Sequence, residues 1–432
     1  MRFASIWLTS MAMLAIAGQT SALAADQEAD NVTKTYAQAI EFLGQHTKVI
    51  ELKGEGDTRV AICPEYQGRI MTSSCAGPAA PSLGWINYDF IQEGKLSPVF
   101  NNYGGEDRFW LGPEGGQFGL WFTGEFAKQF QSSPVQTVDR WFTPPALNTG
   151  AFQVDAADAK TCKLSRRIRV TNAAEYTFDV DVSRELRLLD ADQFGKHFSA
   201  DAAKVAKEGK ARMVAFESVN TAKNVGPLDW AMRTGLVSIW TLGQFPTNDA
   251  TAIIVPYKAG SDADLGPVVQ SDYFGDVPAD RLKVTPQAVL FRGDGKFRSK
   301  LGISQKRAVP FAGAIDFKSG VLTLVQFSMP ADPASLLYVN NAWKLPQEKP
   351  YVGDVFNSYN DGPAKPGAKA MGGFYELETL SPTKPLVKGE TLTHNHRTFH
   401  FQADAATLAK LAKATLGVDL EEARKFVDQK AK

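Results

Sequence analysis

The stretch Asn101 to Phe122, NNYGGEDRFWLGPEGGQFGLWF, gathers Arg108, Trp110 and Glu114 between two glycine pairs. Arg108 and Trp110 are two apart, so on a strand they share a face, and Glu114 keeps that parity beyond Gly112-Pro113. A flat indole against the C–H side of a sugar ring, with planar charged groups on its hydroxyls, is what carbohydrate recognition requires. A glycine-rich hairpin with a core Trp110, and with Arg108 paired to Glu106 or Asp107, would use the same residues structurally.

Further along, FYELETL sets Glu376 and Glu378 on one strand face and Leu377 on the other. A carboxylate there can take a proton if burial and neighbours tune it, or it can be a paired acid at a sheet end. In HNHRTFH, His394, His396 and His400 share strand parity. That spacing fits catalytic or sugar-contacting imidazoles, a metal-binding H-x-H step, or a face of hydrogen-bonded histidines. GDVFNSYNDGP (353–363) offers Asp354, Asn357, Asn360 and Asp361, which suit sugar hydroxyls, a calcium ion or a plain turn. Trp343 in NNAWK adds an aromatic face. Arg298 and Lys300 in FRSKLG are same-face cations that could grip a uronate or sit in solvent. The chain has no GxGxxG, no phosphate-binding loop, no G-x-S-x-G and no HExxH.

The elements that must carry these residues are mostly strands. TKTYAQAIEFLGQH (33–46) has helical spacing and predicts an N-terminal helix. From there, short β-rich runs such as YTFDVDVSRELRLL, ARMVAFESVN and GVLTLVQFSM follow one another. Many alternate, and each is bounded by Gly, Pro, Asn or Asp, the pattern of antiparallel sheets packed as a sandwich. A helical insertion is expected within 190–208, and a helical tail over 403–429 that splits at Gly417. The result is one all-β domain with helical edges.

Arg2, the apolar run IWLTSMAMLAIAG and then SALA predict a signal peptide of residues 1–24, and with it a periplasmic or secreted protein. No other stretch reaches about 18 apolar residues, so no membrane insertion is expected. The 47 basic side chains balance 47 acidic ones, and removing Arg2 with the leader leaves 46. So even a balance gives no electrostatic footprint for nucleic acid. Of the three cysteines, Cys63 and Cys75 flank a hairpin, CPEYQGRIMTSSC. In an oxidising compartment they are expected to form a disulfide, leaving Cys162 free.

Three segments, in order over Lys48 to Gln402, resemble the galactose-mutarotase-like superfamily, which includes the aldose 1-epimerases. They are VAICPEYQGRIMTSS, the Gly-Gly turn followed by Arg, aromatic and Pro in 101–122, and FYELETLSPTKPLVKGETLTHNHRTFHF. The likeness is to a secreted bacterial branch rather than to the standard epimerases. The resemblance implies an antiparallel β-supersandwich over 48–402, between an N-terminal helical segment (25–47) and a C-terminal helical tail (403–432). It also implies a sugar groove and a glutamate base, and Glu378 matches that base. The histidine that standard mutarotases carry on a central strand has no counterpart, because ESVNTAKNVGPLDWAMRTGLVSIWTLGQF contains Asn220 and Trp230 but no His. The expected site therefore has Glu378 as base and His394 or His396 as acid. Its expected sugar contacts are Arg108, Trp110, Glu114, Lys300, Trp343, Asn357 and Asp361, with no metal and no cofactor. The expected activity is that of a carbohydrate epimerase or mutarotase. The alternatives are a non-catalytic carbohydrate-binding module and a sugar lyase.

Overall fold

The computed structural model of the protein describes residues 34–123, 136–365 and 367–429. The expected signal peptide lies outside them. The alternating runs pair into three antiparallel sheets, with strands numbered in chain order. The smallest is the meander β1 (Ile50–Lys53), β2 (Arg59–Cys63) and β3 (Arg69–Ser74). A five-stranded sheet runs in the order β13 (Ser299–Ser304), β16 (Asp354–Asn360), β17 (Phe374–Leu380), β9 (Ser238–Pro246) and β4 (Arg108–Gly112). A ten-stranded sheet begins with β11 (Leu282–Val284), β12 (Ala288–Arg292), β10 (Thr251–Pro256), β14 (Phe311–Asp316) and β15 (Val321–Phe327). It continues with β18 (Thr391–Gln402), β8 (Arg212–Asn224), β7 (Thr177–Leu188), β6 (Thr161–Thr171) and β5 (Gln153–Ala157). The architecture is thus the all-β, antiparallel sandwich that the strand pattern predicts.

Burial explains which face of each strand packs. In β6 and β7 every second side chain is buried except the half-buried Arg166 and Leu188, so this end of the large sheet shows its outer face to water. Around β10, β12, β14 and β15 both faces are covered. The inner face packs Ile253, Val289 and Val325 against Leu301, Val355 and Leu377 of the small sheet. The outer face packs Leu290, Leu322 and Leu324 under the C-terminal helices Ala405–Leu416 and Leu420–Asp428, through Leu408, Leu411 and Phe426. Those helices separate at Gly417, where the sequence places the break, and Tyr36–His46 forms the expected N-terminal helix. The insertion is two helices, Ala191–His197 and Ala200–Glu208.

The expected disulfide is absent: Cys63, Cys75 and Cys162 are all free and buried. Register is the reason. Cys63 pairs with Arg69 at one end of the β2–β3 hairpin, whereas Cys75 follows Ser74, which pairs with Arg59 at the other end. Four residues of strand separate the two positions, about 13 Å at the usual rise, well beyond disulfide reach.

Candidate functional site

The sequence of β17 alternates in chemistry. Phe374, Glu376 and Glu378 take one side and Tyr375, Leu377 and Thr379 the other, and all are buried. Its partners are in register with that division. Glu378 lies opposite Asn357 and Leu242, and Leu242 lies opposite Arg108. Glu376 lies opposite Tyr359, which in turn faces Lys300, while Trp240 pairs with Trp110. Directly paired residues point to the same side of a sheet. These side chains therefore share the face turned away from the ten-stranded sheet. All but Asn357 line the floor of a cavity of about 110 Å³, room for several water molecules.

Loop aromatics form its walls. Trp141, Phe274 and Trp343 line the cavity, with the Phe274 and Trp343 rings edge-to-face at 5.2 Å. Gly115 is what allows Trp343 to come so near the 112–116 turn. A Cβ at Gly115 would lie 2.5 Å from the Ala342 carbonyl oxygen and 2.9 Å from Trp343 Cα. At the floor, Trp110 and Trp240 meet edge-to-face at 5.5 Å, and the Arg108 guanidinium lies 3.9 Å above the Trp110 ring. Trp110 is thus capped by Arg108 and donates its N–H to the Leu147 carbonyl at 2.9 Å. The half-buried Trp141 and Trp343 offer the more open indole faces.

The charges are arranged in pairs. Arg108 donates to Glu376 at 3.0 Å, and neither Glu106 nor Asp107 is its partner. Lys300 Nζ and Trp240 Nε1 both donate to Glu378 Oε2, at 2.9 and 3.0 Å. Glu378 Oε1 is buried and has no hydrogen-bond partner among the described residues, and the same holds for Arg108 Nε and Nη1. Trp141 Nε1 donates to Glu114 at 2.6 Å. Burial pushes the Glu376 carboxyl up; Arg108 opposes this and the neighbouring Glu378 reinforces it. Burial likewise raises Glu114 against the pull of Lys300. Burial alone would lower Lys300, but Glu378 and Glu114 outweigh it and hold the ammonium above its ordinary value.

Eight of the residues singled out in the sequence, Arg108, Trp110, Glu114, Arg298, Lys300, Trp343, Glu376 and Glu378, therefore meet around one cavity. Asn357 and Asp361 do not line it. The Asn357 amide donates to the Tyr273 hydroxyl at 3.1 Å, and Asp361 accepts from the Tyr359 hydroxyl at 2.9 Å and from Gly372 N at 2.7 Å.

His394 and His396 do not reach the cavity, which corrects their expected role as the acid. They project from the ten-stranded sheet into the space between the sheets and meet the opposite face of β17. There His394 Nε2 and His396 Nδ1 lie 2.8 and 2.9 Å from Thr379 Oγ1. One hydroxyl between two imidazoles donates to one and accepts from the other, which satisfies a neutral pair. Burial drives both imidazoles down to about 3. His400 is bound elsewhere, to Thr323 and Glu106 at 2.9 Å each. Among the described residues, no three His, Cys, Asp or Glu side chains gather as metal ligands.

Trp141, Trp240, Phe274 and Tyr359 also line the cavity but carry no local signal. Strand parity does reveal Glu376 as the companion of Glu378, whereas its partner Arg108, 268 residues away, depends on register.

Residues 34–427 match a family described as a family of unknown function, DUF6786. The chain belongs to that family. No curated protein matches this DUF6786 sequence. Among solved structures it is similar to a candidate aldose 1-epimerase from Escherichia coli K12, at 12% identity and a TM-score of 0.45, over 82% of this chain and 98% of that one. A galactose mutarotase-like protein from Lactobacillus casei is similar at 8% identity and a TM-score of 0.41, covering 82% and 100% of the two chains. A further candidate aldose 1-epimerase, from Klebsiella pneumoniae, has 11% identity, a TM-score of 0.44 and coverage of 88% and 94%.

Proposed function

We propose that the protein binds a carbohydrate in this cavity and moves protons at the anomeric centre. The observation that carries the reading is the convergence of Glu378, Glu376, Glu114, Arg108 and Lys300 beneath half-buried indoles. Indole faces suit the C–H side of a sugar, and fixed charged groups suit its hydroxyls. Glu378 has one oxygen anchored by two donors while the other is left open. That open oxygen accepts the proton of the anomeric hydroxyl as the ring C–O bond breaks. Glu376, two residues along and about 7 Å away, has a raised pKa that keeps part of it protonated. It returns a proton to the ring oxygen, and rotation followed by reclosure gives the other anomer. This carboxylate pair takes the place of the His acid.

Arg2, the apolar run behind it and SALA support export to the periplasm or beyond, with residues 1–24 removed; the intact mass of the mature chain tests this. For the chemistry, NMR exchange spectroscopy on a panel of aldoses and uronates should show anomer interconversion above the buffer rate. Saturable binding without exchange would leave a non-catalytic carbohydrate-binding module. No binding of any sugar would remove the reading altogether.

A further inference from the structure

The cations around the cavity are not equivalent. Arg108 and Lys300 are each neutralised by a glutamate, at 3.0 and 2.9 Å. Arg298 is not: among the described residues no carboxylate lies within ion-pair distance of it. The nearby Asp361 is engaged by the Tyr359 hydroxyl and by Gly372 N. Arg298 is held by aromatic faces instead, its guanidinium 3.8 Å over Phe274 and 5.6 Å from the Trp343 ring centre. The guanidinium also acts on the Tyr359 hydroxyl, and a planar fork has five N–H groups, so those that remain match a carboxylate with two parallel hydrogen bonds. The exposed Lys369 lines the same cavity. Arg108, Arg298, Lys300 and Lys369 outnumber Glu114, Glu376 and Glu378 around the cavity, so its lining is net cationic even with every carboxylate ionised.

We propose that the ligand is an acidic sugar, a uronic acid unit whose carboxylate is gripped by Arg298 while its ring lies along the indole wall toward Glu378. This rests on the carbohydrate reading above and adds the substrate class. A net cationic lining suits an anionic sugar, the planar guanidinium matches a planar carboxylate, and Arg298 acts as the residue that selects acid over neutral sugars.

The test is calorimetric titration of the full mature chain with galacturonate, glucuronate and trigalacturonate. Each is run beside its neutral methyl ester, together with galactose and glucose 6-phosphate. The acids should bind about tenfold more tightly than their esters, the worth of one charge-assisted hydrogen bond or more. Arg298→Gln should bring the acid-to-ester ratio close to one, and Arg298→Lys should retain part of it. Circular dichroism confirms that the variants are folded, and the wild-type acid-to-ester ratio stands without any variant. Esters binding as tightly as acids would overturn the inference and leave the carbohydrate reading in place. An unchanged ratio in folded Arg298→Gln would overturn the role of Arg298. Tighter binding of glucose 6-phosphate would overturn the carboxylate. Failure of every sugar to bind would overturn both readings.

Discussion

Glu378 is the residue on which binding, chemistry and stability all meet. It is fully buried, and its charge is balanced by Lys300, itself 4% exposed. Glu378→Gln should lower anomer exchange by a factor of roughly 10²–10⁴, because an amide cannot take the proton. It should also destabilise the fold by about 3 kcal/mol, since Lys300 loses its main counter-charge in a buried setting. Pairing it with Lys300→Met should restore most of the stability without restoring turnover. Urea unfolding and exchange spectroscopy on the single and double variants separate the two effects, and wild-type exchange in Glu378→Gln would end the proposed mechanism. His394→Gln and His396→Gln make the opposite case. Each should cost about 1–3 kcal/mol by disturbing the bonds to Thr379, yet leave sugar affinity and exchange unchanged. A selective loss of turnover in either one would put a histidine back into the chemistry.

Among the elements, β9 is the one through which the sheet and the Arg108 segment hold each other. Gln244 N donates to the Gly105 carbonyl at 2.8 Å, and Trp85 N donates to the Gln244 carbonyl at 3.1 Å. Gly243 makes this close passage possible, because a Cβ there would lie 2.3 Å from the Glu106 carbonyl oxygen. Gly243→Ala should therefore cost about 1–3 kcal/mol as an overpacked backbone contact. It should also weaken sugar binding, by moving the strand that begins at Arg108. The comparison is Gly44→Ala in the helix Tyr36–His46, where nothing lies within 4 Å of the new Cβ. That change should add about 0.5–1 kcal/mol through backbone entropy and leave binding alone. Thermal melts and titration calorimetry on the two variants check both outcomes. Equal tolerance of the two substitutions would mean that the close passage beside β9 does not position the site.

For the molecule as a whole, the polar seam between the sheets should appear as a pH dependence of stability. His394 and His396 are held near 3 in the fold but take up protons at about 6.5 once unfolded. Between those values the unfolded chain binds more protons, so their contribution is complete above about 6.5 and is lost as the pH falls. Asp354 and Asp361 act in the other direction. Burial lifts both to about 6, so the fold binds their protons first and they offset the loss between about 6 and 4. The histidine share is isolated by difference. The stability gap between wild type and the His394→Gln/His396→Gln double variant should shift by about 1.4 kcal/mol per histidine for each pH unit below 6.5, against wild type. Urea unfolding at pH 7 and pH 5 measures it, and a constant gap would show that the imidazoles are not held neutral. The sequence by itself determined the antiparallel strands, the terminal helices and the shared face of Glu376 and Glu378, because strand alternation, caps and turn residues act over a few positions. It also singled out Arg108, Trp110, Glu114, Lys300 and Trp343 by type and spacing. Only the tertiary structure decided that these meet over β17, that Arg108 pairs with Glu376, that the histidines fall on the far face of that strand, and that Cys63 and Cys75 lie at opposite ends of a hairpin. Each of those outcomes is set by register between strands distant in sequence, and a shift of one residue there would turn every side chain to the other face.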